Sequence, residues 1–266
     1  MKPILFRIPL PYLGSFPIRT YGLMVVIGFL AGWRLAVWRA KKERLPEEVF
    51  LDFGLWGLIG GVIGARLFHF VQNYEAYRTF WDFFKIWQGG LVFYGGFFGA
   101  VVANIIFIKK KGLPLRKTLD VAAPSLALGL GFSRIGCFLN GCCFGKPTNL
   151  PWAVSFPRGS LAFMNQVNQN LLQPLASRSL PIHPTQIYLS LNAFILFIIL
   201  SYYFKYRKAP GEVSALFGVL YVPTRFVLEF FRGDQTLFIR GLNVPQITGI
   251  FIFIVSLFAF IYLRRK

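Results

Sequence analysis

The feature that most constrains this chain is a series of long apolar runs, each near the ~20 residues that a helix needs to cross the hydrocarbon core of a bilayer. They fall at about 21–38, 49–72, 91–108, 121–144, 183–204, 212–231 and 246–263. A segment in lipid must satisfy its own backbone N–H and C=O groups, so runs of this length predict helices. Composition agrees. Only 15% of the residues are charged, against roughly 25% in soluble domains. The expected fold is all-α, a polytopic membrane bundle of about seven transmembrane helices, forming a single integral membrane domain over residues 1–266.

The formal charge of +19 does not point to nucleic acid. The basic residues gather in short clusters between apolar runs rather than along one face of a soluble domain, and read as topology signals and contacts with anionic membrane lipid. The connections 39–48, 109–120, 205–211 and 264–266 hold 15 Lys and Arg in 32 positions, whereas 1–20, 73–90, 145–182 and 232–245 hold 10 in 90. The dense set is expected on the cytoplasmic side. That places the N-terminus outside, the C-terminus in the cytoplasm, and 145–182 as an outward, periplasmic cap. Pro3, Pro9, Pro11 and Pro17 interrupt any signal-peptide core, so the first span is expected to be retained.

In the second run, Gly54, Gly57, Gly60, Gly61 and Gly64 stand at short, mostly three- and four-residue steps, which lets helix backbones approach closely. Cys137, Cys142 and Cys143 fall in seven residues. An odd, clustered count is no disulfide framework. With only two His, neither near in sequence, the trio reads as small apolar packing at a helix end, and no metal is assigned.

Charge inside a bilayer is costly, so intramembrane Arg and Glu are site candidates. Arg66 and His69, Tyr94, Arg134, Arg225 with Glu229, Tyr21 and His183 come from different runs yet lie at mid-depth or toward the outer side. That level suits a lipid headgroup. Arg225 and Glu229, at i and i+4, can pair on one face, either as a structural lock or as part of a site. Arg134 has no carboxylate in its own run and calls for an anion. Phosphate fits, because a guanidinium can bind it bidentately. His69 reads as a packed core histidine. His183 reads either as a base or as a helix-start residue ahead of Pro184.

At these residues the chain resembles the bacterial prolipoprotein diacylglyceryl transferases. The strongest match is Gly131-Phe-Ser-Arg134-Ile-Gly136-Cys137-Phe-Leu-Asn140-Gly141-Cys-Cys-Phe-Gly145, similar to the family's Arg-x-Gly-Asn-Phe-x-Asn signature with its downstream glycine. Ile18 to Gly22, Gly89 to Gly96, His183-Pro184-Thr-Gln186-Ile-Tyr188, and Tyr221 to Arg232 follow in the family's order. Two positions depart from it: Cys137 stands for the signature Asn, and Tyr94 where His is often found. The resemblance implies transfer of a diacylglyceryl group from phosphatidylglycerol to the lipobox cysteine of a prolipoprotein signal peptide, in the bacterial inner (plasma) membrane, with glycerol phosphate released. It implies phosphate contacts from Arg134 and Arg225, with Glu229 and Arg232 orienting Arg225. Gly145, Gly95, Tyr21 and Tyr221 line the lipid site, and Tyr94 or His183 is the proton acceptor. It implies no metal and no organic cofactor. An anion transporter and a catalytically inactive lipid-binding relative are the competing readings.

Overall fold

The computed structural model describes residues 4–10, 14–77, 79–85, 90, 92–234 and 241–265. Seven long helices stand on the seven apolar runs: α1 Thr20–Lys42, α2 Val49–Gln72, α3 Phe93–Lys110, α4 Leu115–Asn140, α6 Thr185–Tyr203, α7 Glu212–Glu229 and α8 Val244–Arg265, with a short α5 at Leu161–Asn168 between α4 and α6. α1, α3 and α8 end on Arg39-Lys41-Lys42, Lys109-Lys110 and Arg264-Arg265. These cations complement the negative end of the helix dipole.

Five helices, α1, α2, α4, α6 and α8, are long and apolar enough to cross a membrane. Their outward faces are greasy: Leu58, Ile198, Phe251 and Phe258 are 60%, 62%, 69% and 73% exposed. Apolar exposure on this scale belongs against lipid rather than water. The chain is therefore a multi-pass membrane protein. α7 lies outside the five and carries Glu212, Arg225 and Glu229.

The structure departs from the expected outline in three places. The first residues are not a plain connection, so the fold is not purely α. β1 (Ile4–Leu10) and β2 (Gly14–Arg19) form an antiparallel hairpin, from Ile4 opposite Arg19 to Leu10 opposite Gly14. A two-stranded ribbon has only edge strands, where Pro9 and Pro17 are tolerated. α4 starts at Leu115 rather than 121 and runs through Pro124. It also ends at Asn140, not 144, because Gly141 turns into the left-handed region at φ 77°.

The chain divides into two compact units, residues 33–121 and residues 1–32 with 122–266. In the first, α2 and α3 pack backbone to backbone. A Cβ on Gly60 would strike Ala103 Cβ and lie 2.8 Å from Gly99 O, and one on Gly64 would strike Gly95 O and lie 2.8 Å from Gly99 Cα. The glycine steps are thus a packing surface. In the second unit, Ala123, Ala127, Leu196, Leu200 and Val213 form a core flanked by Phe197 and Leu216. Its 145–182 segment is ordered. Ser160 caps α5 by accepting from Phe163 N, and Phe144, Phe156, Ala162 and Ile182 bury a small core of their own.

Gly64→Val would force α2 and α3 apart. Overpacking of this kind costs about 1–3 kcal/mol, so a clear drop in the unfolding temperature in detergent is expected. An unchanged transition would show that the helices do not rely on this contact.

Candidate active site

The second unit assembles its polar centre where three helices end or begin. Beyond Asn140, Gly141 and then Cys143 take left-handed φ values of 77° and 58°. The chain folds back, bringing Cys143 Sγ to 3.7 Å from Arg134 Nη1. The start of α6 holds this reversal in place. Thr185 Oγ1 donates to Cys143 O and Gln186 Nε2 to Cys142 O, each at 2.8 Å. Next in the chain, Gly145 pairs antiparallel with Arg232 just past α7. Lys146 N donates to Phe231 O (2.8 Å), Gly233 N to Phe144 O (3.0 Å) and His183 N to Lys146 O (3.0 Å). Three irregular segments thereby satisfy one another's backbone groups. Gly145 is required here: a Cβ would collide with His183 O and lie 2.6 Å from His183 Cβ.

The charges sit within this mesh. Glu229, 3% exposed, forms ion pairs with Arg225 one turn earlier and with Arg232, whose Nη1 is 3.5 Å away. Arg232 also donates Nε and Nη2 to the two oxygens of Asp234, both at 2.9 Å. Arg134, Arg225 and Arg232 lie within electrostatic reach of one another and of Cys143, and Tyr221 is within reach of Arg134 and Arg225. Three guanidiniums therefore face two carboxylates. Among the described residues Arg134 is the one of the three with no ion pair. A half-buried surplus cation of this kind calls for an anion.

The other expected residues of this unit lie around the charges. Tyr21 is seated along α4, where a Cβ on Gly136 would come within 3.2 Å of its ring, and it lies close to the Ser133 side chain. Tyr221 stacks on Phe217 with ring centroids 5.3 Å apart. His183 lies edge-on to Phe231, with Nδ1 3.5 Å from the Tyr188 hydroxyl. Burial pushes its pKa below the usual imidazole value. The ring is neutral at pH 7 and has a lone pair for a proton. A cavity of about 270 Å³ opens beside Gly145, Glu229 and Arg232.

Arg66, His69, Tyr94 and Gly95 belong to the other unit. Arg66 is buried and donates to the carbonyls of Phe83 (2.8 Å), Asp82 (2.5 Å) and Gly90 (3.2 Å). His69 Nδ1 is 2.7 Å from the Tyr77 hydroxyl. Both are occupied by residues that follow α2, namely Tyr77, Asp82, Phe83 and Gly90. Gly95 is buried against the Gly64 backbone and Phe68. The side chain of Tyr94 lies outside the described residues.

The sequence profile described as prolipoprotein diacylglyceryl transferase matches residues 7–262. The chain belongs to this family. It is 34% identical over 260 residues to the phosphatidylglycerol–prolipoprotein diacylglyceryl transferase of Clostridium tetani, covering 98% of this chain and 97% of that one. It is 37% identical over 270 residues to the Methylobacillus flagellatus protein of the same name (92% and 95%) and 34% identical over 258 residues to that of Thermotoga maritima (96% and 84%).

The sequence singled out the arginines and Glu229 that meet here, but not four residues that surround and support them. Asp234 follows Arg232 by two residues, beyond the helix end where helical spacing no longer guides pairing. Thr185 and Gln186 reach segments more than 40 residues away, and only the His-Pro-Thr-Gln motif hinted at them. Cys143, which from sequence alone reads as packing, has its sulfur 3.7 Å from Arg134 Nη1.

Replacing Glu229 with Gln would leave two guanidiniums without their shared carboxylate. Breaking a buried pair costs about 3–5 kcal/mol, and thermal unfolding in detergent should show a loss on that order. A transition matching wild type would mean that Asp234 and lipid suffice to neutralise the cluster.

Proposed function

We propose that the chain transfers the diacylglyceryl group of phosphatidylglycerol to the lipobox cysteine of prolipoproteins, with Arg134 and Arg225 gripping the phosphate. Family membership makes the chain a transferase of this kind, acting in the first step of lipoprotein maturation. The observation that supports the site assignment is the guanidinium surplus around Arg134, whose Nη1 is 3.7 Å from Cys143 Sγ in the chain reversal, together with a cavity lined by Gly145, Glu229 and Arg232. In the reaction the substrate thiolate attacks the glyceryl carbon that bears the phosphate. An S–C bond forms, the C–O bond breaks, and its electron pair leaves on glycerol phosphate. Charge thus grows on a phosphate oxygen, and guanidinium donors placed beside it stabilise the transition state.

Glu229 and Arg232 orient Arg225 through the ion pairs described above. Gly145 leaves backbone room beside the headgroup, and Tyr21 and Tyr221 line the lipid. The thiol proton passes to His183 or Tyr94. His183 is the better acceptor at neutral pH, since its ring is neutral whereas an unperturbed tyrosine is protonated up to about pH 10. All seven long helices cross the bacterial inner membrane as one domain, with the N-terminus and the 145–182 cap outside and the C-terminus in the cytoplasm.

A mass-shift assay with phosphatidylglycerol and a lipobox peptide tests this reading. Wild type should add a diacylglyceryl mass to the cysteine and release glycerol phosphate. Arg134→Ala and Arg225→Ala should each lose on the order of 10²–10³-fold in rate while remaining folded. Arg134→Lys should fail as well, because an ammonium cannot make the bidentate contact. A folded Arg225→Ala enzyme with normal turnover would remove that residue from the site. The role of His183 carries a pH signature. Because its pKa is depressed, wild-type activity should hold down to the ordinary imidazole range and fall only below about pH 6.5. In His183→Gln that acid limb should vanish and the rate at pH 7 should drop by about 10²-fold or more. An unchanged profile would leave Tyr94 as the acceptor.

A further inference from the structure

The proposed reaction uses a cysteine of the substrate and none of the enzyme's own. Yet Cys137, Cys142 and Cys143 are all free thiols, and their Sγ atoms all lie within 4.8 Å of one another. Sulfurs bound to one tetrahedral Zn²⁺ at about 2.3 Å stand ~3.8 Å apart, a separation that small thiol rotations can reach. We propose that these three cysteines bind one Zn²⁺ as thiolates, leaving its fourth position to water or to an incoming thiol. Each thiol gives its proton to solvent as its S–Zn bond forms.

Three observations converge on this site. The donor set is all sulfur, which selects soft or borderline ions such as zinc over Mg²⁺ or Ca²⁺. No His, Asp or Glu joins the group among the described residues, and three ligands with an open position are an arrangement zinc accepts. The backbone carrying the ligands is held in place: Thr185 and Gln186 anchor the carbonyls of Cys143 and Cys142, and the left-handed turn at Gly141 and Cys143 returns two sulfurs to the third on α4. Arg134 Nη1 already stands at N–H···S distance from Cys143, so a neighbouring cation is in place to favour the thiolate form. A guanidinium has five N–H donors, so Arg134 can spend one on sulfur and still present others to a phosphate.

Metal binding is tested without reference to transfer activity, so its failure and that of the transferase reading can be told apart. The reduced full-length protein, purified metal-free in detergent, is titrated with Co²⁺. One equivalent should produce thiolate-to-cobalt charge-transfer absorption with tetrahedral visible bands, and Zn²⁺ should abolish them. Cys137→Ser, Cys142→Ser and Cys143→Ser should each weaken cobalt binding by at least about tenfold, with helical circular dichroism retained. Absence of the charge-transfer band in wild type would overturn the proposal, as would a band that persists in the triple serine variant. A dithiothreitol-reversible loss of two hydrogens, with no cobalt band after reduction, would equally overturn it and mark the trio as a redox pair instead.

Discussion

A carboxylate buried between two guanidiniums is the constraint around which the unit of residues 1–32 and 122–266 is built. Taking such ions out of water costs several kcal/mol apiece, and Coulomb attraction returns that cost only if the partners stay in register. Glu229 supplies the shared anion, Arg225 reaches it one helical turn away, and Arg232 reaches it from beyond the helix end. Asp234 then fixes Arg232 with a fork of two 2.9 Å bonds. A lysine would not substitute for Arg232, because the fork needs a planar guanidinium.

That cluster dictates the irregular backbone around it. Non-helical chain at membrane depth is tolerated only where protein or a polar cavity satisfies its peptide groups. Here the segments at 142–147, 182–186 and 231–234 meet that condition by bonding to each other, with the Gly145–Arg232 bridge at the centre. The absence of a side chain at position 145 is what allows His183 and Phe231 to approach. Charge, backbone mesh and imidazole are therefore one construction. The ion pairs hold Arg232, Arg232 holds the bridge, and the bridge seats His183.

Much of this was legible in the sequence, for reasons that differ by element. The apolar runs announced the helices because lipid imposes a length. The glycine steps of α2 announced a close contact because helical periodicity puts them on one face. Arg225 and Glu229 could be paired because i and i+4 are neighbours on any helix. Where pairing leaves the helix, the rules stop. The Arg232–Asp234 fork lies past the last turn, and the convergence of Cys137 with Cys142 and Cys143 depends on left-handed residues at 141 and 143. Arg66 shows a different limit. Its burial was readable as an anomaly, but its partners are backbone carbonyls, which no residue type betrays. The hairpin of β1 and β2 escaped because short strands with prolines look like a connection until they pair.

On the proposed reading, the reaction places negative charge at two points, the attacking thiolate and the departing phosphate. A centre with one uncompensated guanidinium answers both. The same field that grips the phosphate lowers the cost of ionising a thiol brought beside it, so the proton acceptor need not be a strong base. A neutral, half-buried His183 is adequate for such a task. The more the cationic centre stabilises the thiolate, the less the chain depends on any one side chain to remove the proton.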